Sequence, residues 1–135
     1  MKFVHGRPVG LVALAILAAG GGAAAQDFFG GHFSEQTGEA IFKGICQGCH
    51  MPDAKGAVGA GAYPALAGDE RLSAAAYPAL VITVGQKAMP SFGDQLSDEQ
   101  IANVVNYIRS NFGNHYTDKI TPDEVKAMRP PKAPG

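Results

Sequence analysis

The sequence predicts an all-α fold, on three observations. Residues 97–112 carry Ile101, Val104, Val105, Ile108 and Phe112 as one apolar stripe at helical spacing. Most glycines and prolines fall between such stretches, with Gly38, Gly44, Pro78 and Pro122 inside them. No run of apolar/polar alternation is long enough to make a sustained strand.

The N-terminus reads as an export signal. Lys2 and Arg7 supply a positive start, residues 9–18 (VGLVALAILA) an apolar core, and Ala23-Ala24-Ala25 a small-residue cleavage site. The apolar core is shorter than the about twenty residues that span a bilayer. Residues 1–25 are therefore expected to be a cleaved signal peptide, and a membrane contact is expected only if they are retained. Residues 26–33 (QDFFGGHF) form a flexible lead broken by Gly30-Gly31. Residues 34–113 form the domain, and residues 114–135 a tail.

Within the domain, Ser34 or Thr37 can cap a first helix that runs to about Cys46. Glu35 and Glu39 lie near its start, where the helix dipole favours them. Ile41, Phe42 and Ile45 make its buried stripe. The glycine-rich residues 51–62 are loop, and residues 63–68 continue it as a more ordered turn. Residues 69–73 suit a short helix. A second helical stretch covers residues 73–84, its continuous part beginning near Tyr77 because Pro78 belongs in a first turn. Gly85 stops it. The helix at 97–112 starts with a Ser97/Gln100 capping box and Asp98-Glu99 in its first turn; Arg109 lies in the last turn and Gly113 closes it. In the tail, Thr121 caps a short helix with Pro122 in the first turn and Asp123-Glu124 after it. Residues 129–135 (RPPKAPG) read as disordered.

One pentapeptide carries the chemistry: Cys46-Gln47-Gly48-Cys49-His50. Two thiols three residues apart, followed by histidine, are the attachment signature of c-type haem. Each thiol can add across one vinyl group of the haem, and the histidine sits to bind its iron. A thiol redox pair would lie between a strand and a helix, and the pattern here has no strand. A zinc site needs further ligands, and the chain has only two cysteines. A haem-less protein with a Cys46–Cys49 disulfide stays as an alternative.

Export agrees with haem attachment outside the cytoplasm, in a disulfide-permissive compartment. Lys2 and Arg7 fall in the signal, so nine of the eleven Lys/Arg meet all twelve Asp/Glu in the remaining chain. That mild acidity, without any basic run, argues against nucleic acid as a partner.

The second iron ligand is sought among Met51, Met89, Met128, His32 and His115. Met51 adjoins His50 and cannot reach the opposite face. Met128, His32 and His115 lie in terminal or post-helical segments and suit the surface. Met89 stands in Gly85-Gln86-Lys87-Ala88-Met89-Pro90-Ser91-Phe92, a loop between two helices stiffened by Pro90. A thioether ligand raises the reduction potential relative to a second histidine, because soft sulfur favours ferrous iron.

With these residues in place, the chain resembles the class I cytochromes c, small bacterial mono-haem electron carriers. The resemblance spans about residues 34–113. It rests on Gly38-x-x-x-Phe42, Cys46-x-x-Cys49-His50, Tyr63-Pro64-x-Leu66-x-Gly68, Met89-Pro90-x-Phe92 and Val104-x-x-Tyr107. It implies a small cytochrome c fold, helices packed around one covalently bound haem. It also implies that the Pro64 carbonyl accepts a hydrogen bond from His50, that Leu66 packs on the haem, and that Gly38 and Phe42 cross the last domain helix near Tyr107. The segments 111–114 and 120–125 are similar to the ends of cytochrome c domains in periplasmic dehydrogenase systems. Such subunits often carry several haems, whereas this chain has one motif.

The expected protein is a periplasmic one-electron carrier and not an enzyme. Cys46 and Cys49 anchor the haem, Pro64 and Leu66 complete its binding, and His50 and Met89 ligate iron. A dehydrogenase is the expected donor and a respiratory protein the acceptor, with Lys43, Lys55 and Lys87 near the motifs able to steer an acidic partner. The alternative is a haem-based sensor whose sixth position is open or labile, with mobility in residues 56–61.

Overall fold

The computed structural model describes residues 31–59 and 61–131. The signal peptide, residues 26–30 of the lead and residues 132–135 of the tail lie outside the described residues.

The described chain is mostly helical. Helix α1 (Gly38–Ile41) continues through a π turn (Phe42–Cys46) into α2 (Gln47–His50). Thr37 is the cap that forms, its hydroxyl accepting from the Ala40 N–H at 3.1 Å; Ser34 stays outside the helix. The helical path therefore runs four residues beyond Cys46 and carries the whole pentapeptide. A π turn holds one residue more than an α turn, which rotates the side chains after it relative to those before it. Ile41 and Phe42 thus face the core while Cys46, Cys49 and His50 line a cavity.

A two-residue ribbon follows, β1 (Ala57–Val58) against β2 (Ala62–Tyr63), antiparallel with Ala57 opposite Tyr63. It departs from the sequence expectation of plain loop. Two residues are too few for alternation to register, and the glycines between them permit the reversal. A 3-10 turn (Glu70–Ser73), capped by Asp69, leads to α3 (Ala76–Val84), which Gly85 ends at φ 78°.

Helix α4 (Asp98–Ser110) is the centre of the fold. Its capping box forms as expected, Ser97 Oγ accepting from the Gln100 N–H and Gln100 Oε1 from the Ser97 N–H. Ile101, Val104, Val105 and Ile108 are buried in one core with Ile41, Phe42, Leu72, Ile120 and Val125. Helices α1 and α3 pack on α4, as does α5 (Pro122–Ala127), which has its own Thr121/Glu124 capping box.

Three further sequence expectations change. Helix α4 stops at Ser110, because Phe112 (φ 57°) and Gly113 (φ 80°) turn the chain back in left-handed conformations. Phe112 still reaches Phe42, ring centroids 4.7 Å apart. Arg109 lies in the last turn as expected, and it is fully buried. It donates to the Leu72 and Ser73 carbonyls and to the carbonyl and carboxylate of Asp118. Met128 packs partly buried against the core instead of lying on the surface. Arg129, placed in the disordered tail by its proline-rich neighbours, is bonded to Asp98, Gly93 and Leu96. Phe33, at the end of the lead, packs on Phe92 at 6.4 Å.

Candidate haem site

A cavity of about 740 Å³ opens between α2, the ribbon, α3 and the loop after it. Cys46, Cys49, His50, Pro64, Leu66 and Met89 all line it. His32 and His115 are exposed. Much of the remaining wall is apolar, including Leu72, Ile82, Val104 and Ile108.

His50 is set from two sides. It is buried at the end of α2, and Met51 after it takes φ 65°, which ends the helix there. Its Nδ1 lies 2.9 Å from the Pro64 carbonyl oxygen. An imidazole that donates from Nδ1 keeps its other nitrogen as the lone-pair donor. That nitrogen has no protein partner among the described residues.

The Pro64 carbonyl packs in turn against Gly56, a residue that the sequence places in loop. A Cβ on Gly56 would stand 2.1 Å from the Tyr63 oxygen and 2.7 Å from the Pro64 carbonyl carbon, and Gly56 has φ 67°. Glycine is needed here for its conformation and for close backbone approach. Ala54, also left-handed at φ 57°, accepts from the Leu66 and Ala67 N–H groups and fixes Leu66 at the wall. Buried Asn114 donates to the Leu66 and Ile108 carbonyls and ties the same loop to α4. Only the glycine richness of the segment hinted at Gly56, and the resemblance over residues 111–114 included Asn114 without giving it a role. Gly56→Ala is expected to lower stability by about 2 kcal/mol, since the ribbon can yield partly. A denaturation midpoint equal to the parent's would refute that close approach.

Met89 sits in a tight turn, with Gln86 and Met89 exchanging backbone hydrogen bonds at 3.0 and 2.9 Å around Lys87 (φ 54°). The chain beyond it is fastened to the end of α3. Ser91 Oγ donates to the Thr83 carbonyl at 2.7 Å, and the Phe92 N–H to Ile82 at 2.9 Å. These donors satisfy carbonyls that the helix end leaves unpaired.

The two thiols are not joined to each other. Burial pushes the Cys46 thiol up to about 12. The residues do fit a haem. Two thiols, an imidazole with one nitrogen held and one free, and a thioether converge on a large cavity with a predominantly apolar wall.

Comparison with known proteins agrees. A family model described as cytochrome C oxidase, cbb3-type, subunit III matches residues 34–108. The chain is 31% identical over 107 residues to the fructose dehydrogenase cytochrome subunit of Gluconobacter japonicus, covering 68% of this chain and 22% of that one. It is 31% identical over 108 residues to the gluconate 2-dehydrogenase cytochrome c subunit of Pantoea cypripedii, covering 70% and 24%. The chain thus spans about a quarter of the length of these dehydrogenase subunits. Cytochrome c6 of Diacronema lutheri is 39% identical over 84 residues, 57% of this chain and 95% of that protein. No helix among the described residues is long and apolar enough to cross a membrane. A family match across more than half of the sequence, and a cytochrome c6 covered almost end to end, establish that the chain belongs to the cytochrome c family and is an electron-transfer domain carrying covalent c-type haem.

Proposed function

We propose that this chain is a periplasmic one-electron carrier with His50 and Met89 as axial ligands, passing electrons from a dehydrogenase to the respiratory chain. The observation that carries it is the Nδ1 contact of His50 with the Pro64 carbonyl beside a cavity that Met89 also lines. The haem, when bound, supplies a ferric/ferrous couple. Cys46 and Cys49 hold it as thioethers. The Pro64 carbonyl fixes the His50 ring and raises its basicity. Leu66 and the apolar wall exclude water from the iron. The hydrogen bonds on either side of Met89 support a fixed sulfur, which limits rearrangement between the two oxidation states. The glycine-rich segment that would favour a labile sixth position adjoins Pro64 on the His50 side, not the Met89 turn. The export-type N-terminus supports a periplasmic location, and the dehydrogenase cytochrome subunits among the relatives support a dehydrogenase donor.

The test is an optical spectrum of the exported protein, followed by Met89→Ala. Reduction should give the c-type α-band, and the ferric protein the weak far-red band of sulfur–iron ligation. Met89→Ala should abolish the far-red band, lower the reduction potential and admit carbon monoxide to the ferrous iron. A potential equal to the parent's would remove Met89 from the site. Rapid carbon monoxide binding by the unmodified ferrous protein at neutral pH would favour the sensor alternative.

A further inference from the structure

We infer that Arg129 is a positioning residue for the Met89 loop, and that the C-terminal segment acts as a clasp on the sulfur ligand. Arg129 and the helix before it lie beyond residues 34–108, the part matched by the family model. The inference rests on the reading of Met89 as a ligand.

The Met89 loop connects α3 to α4, and its first half is fastened to α3 through Ser91, Phe92 and Gly93, which all bond to the Ile82 or Thr83 carbonyl. Its second half is seated by buried Leu96, and the Gln95 carbonyl accepts from the Phe33 N–H. Arg129 adds a polar attachment with three separate donors. Nη1 donates to the Gly93 carbonyl, Nη2 to the Leu96 carbonyl at 2.9 Å, and Nε to the Asp98 carboxylate. Gly93 and Leu96 belong to the loop, and Asp98 is the first residue of α4. One planar guanidinium therefore locks the loop's exit to the start of the central helix.

The geometry shields these bonds. The Arg129 side chain is 27% exposed and that of Asp98 28%, so the ion pair is only partly open to water. The segment that presents Arg129 is itself anchored: Val125 of α5 is fully buried, Ile120 is buried, and Met128 packs on the core. The capping box of α5 sets where the helix starts and so where Arg129 emerges after its end. A Cβ on Gly93 would stand 2.6 Å from the Thr83 oxygen and 3.5 Å from Arg129 Nη1, so the loop lies close against both α3 and the guanidinium. Releasing the guanidinium frees the exit of the loop and favours conformations in which Met89 leaves the cavity.

An external ligand reads this directly, because it binds ferric iron only when the sulfur has moved away. Its apparent affinity scales with the population of the loop-open state. Ferric full-length holoprotein is titrated with imidazole while the far-red sulfur–iron band is followed. Arg129→Ala is expected to bind imidazole about tenfold more tightly than the parent, with Arg129→Lys between them because lysine keeps the charge opposite Asp98 but not the fork. Ile101→Val removes core packing on α4 at a residue that lines neither the cavity nor the Arg129 contacts, and should leave imidazole affinity at the parental value while lowering thermal stability. Equal affinity in Arg129→Ala and the parent would overturn the clasp. Equal tightening in Arg129→Ala and Ile101→Val would also overturn it, since the effect would be general loosening. If Arg129→Ala does not fold, Arg129→Lys against Ile101→Val decides by the same comparison. A parent protein without the far-red band would instead sink the Met89 reading itself.

Discussion

Replacing both attachment cysteines, Cys46→Ala with Cys49→Ala, should abolish covalent haem and leave little folded protein. The cavity they line measures about 740 Å³. Without haem its predominantly apolar wall, including Leu72, Ile82, Val104 and Ile108, meets water instead of the ring, and a small domain has only about 5–15 kcal/mol of stability to lose. The walls are drawn from α2, the 3-10 turn, α3, α4 and the Met89 loop, so most of the helices meet what fills the cavity, while α1 and α5 do not line it. Intact mass of the exported protein reports the covalent haem, and far-ultraviolet circular dichroism reports the helices. A double variant lacking haem mass yet showing parental helix content would mean that the helical core around α4 is self-sufficient.

The elements that could be read from sequence are those whose signals are local. The Ser97 box, the Thr121 cap, the Gly85 stop and the Ile101-to-Ile108 part of the α4 stripe each fall within one or two turns, and each forms where expected. The site residues could be nominated for a related reason. The pentapeptide is contiguous, and the order of Pro64, Leu66 and Met89 after it is part of the family resemblance. What stayed hidden depends on which carbonyls the assembled fold leaves unpaired. Gln100 donates to the Phe33 and Glu35 carbonyls, Asn114 to Leu66, Arg109 to Leu72 and Ser73. Each partner is at least 36 residues away in the chain, so no window of sequence shows the need. Arg109 illustrates the difficulty. An arginine in a last helical turn satisfies the dipole rule, yet here its guanidinium is buried among backbone oxygens beside the Tyr116 ring, 5.4 Å from the centroid. The π turn is a further case: Phe42-Lys43-Gly44-Ile45-Cys46 has no composition that distinguishes it from an ordinary α turn, and its position shows only in how the side chains on either side face different parts of the molecule.

Gly38→Ala tests whether the helix bearing the attachment motif is placed by contact with α4. A Cβ at position 38 would stand 2.2 Å from the Asn103 carbonyl oxygen and 2.6 Å from Tyr107 Cβ. Neither neighbour can step aside, because both belong to the interior of α4. Alanine is an ordinary residue for a first helical turn, so its effect comes from this contact rather than from propensity. The two helices must separate, and the rings stacked behind the crossing must follow: Phe42 lies 5.9 Å from Tyr107 and 4.7 Å from Phe112. Overpacking at such a rigid contact should cost about 3 kcal/mol, which for a domain of this size lowers the melting temperature by roughly 12–24 °C. Because Phe42 opens the π turn that leads into Cys46, Cys49 and His50, the displacement also reaches the end of the helix that carries His50. The ferric and ferrous spectra of the variant should therefore shift along with its melting temperature. A variant with lowered stability and parental spectra would confine Gly38 to packing, and one with parental stability would show that the crossing has room for a methyl group.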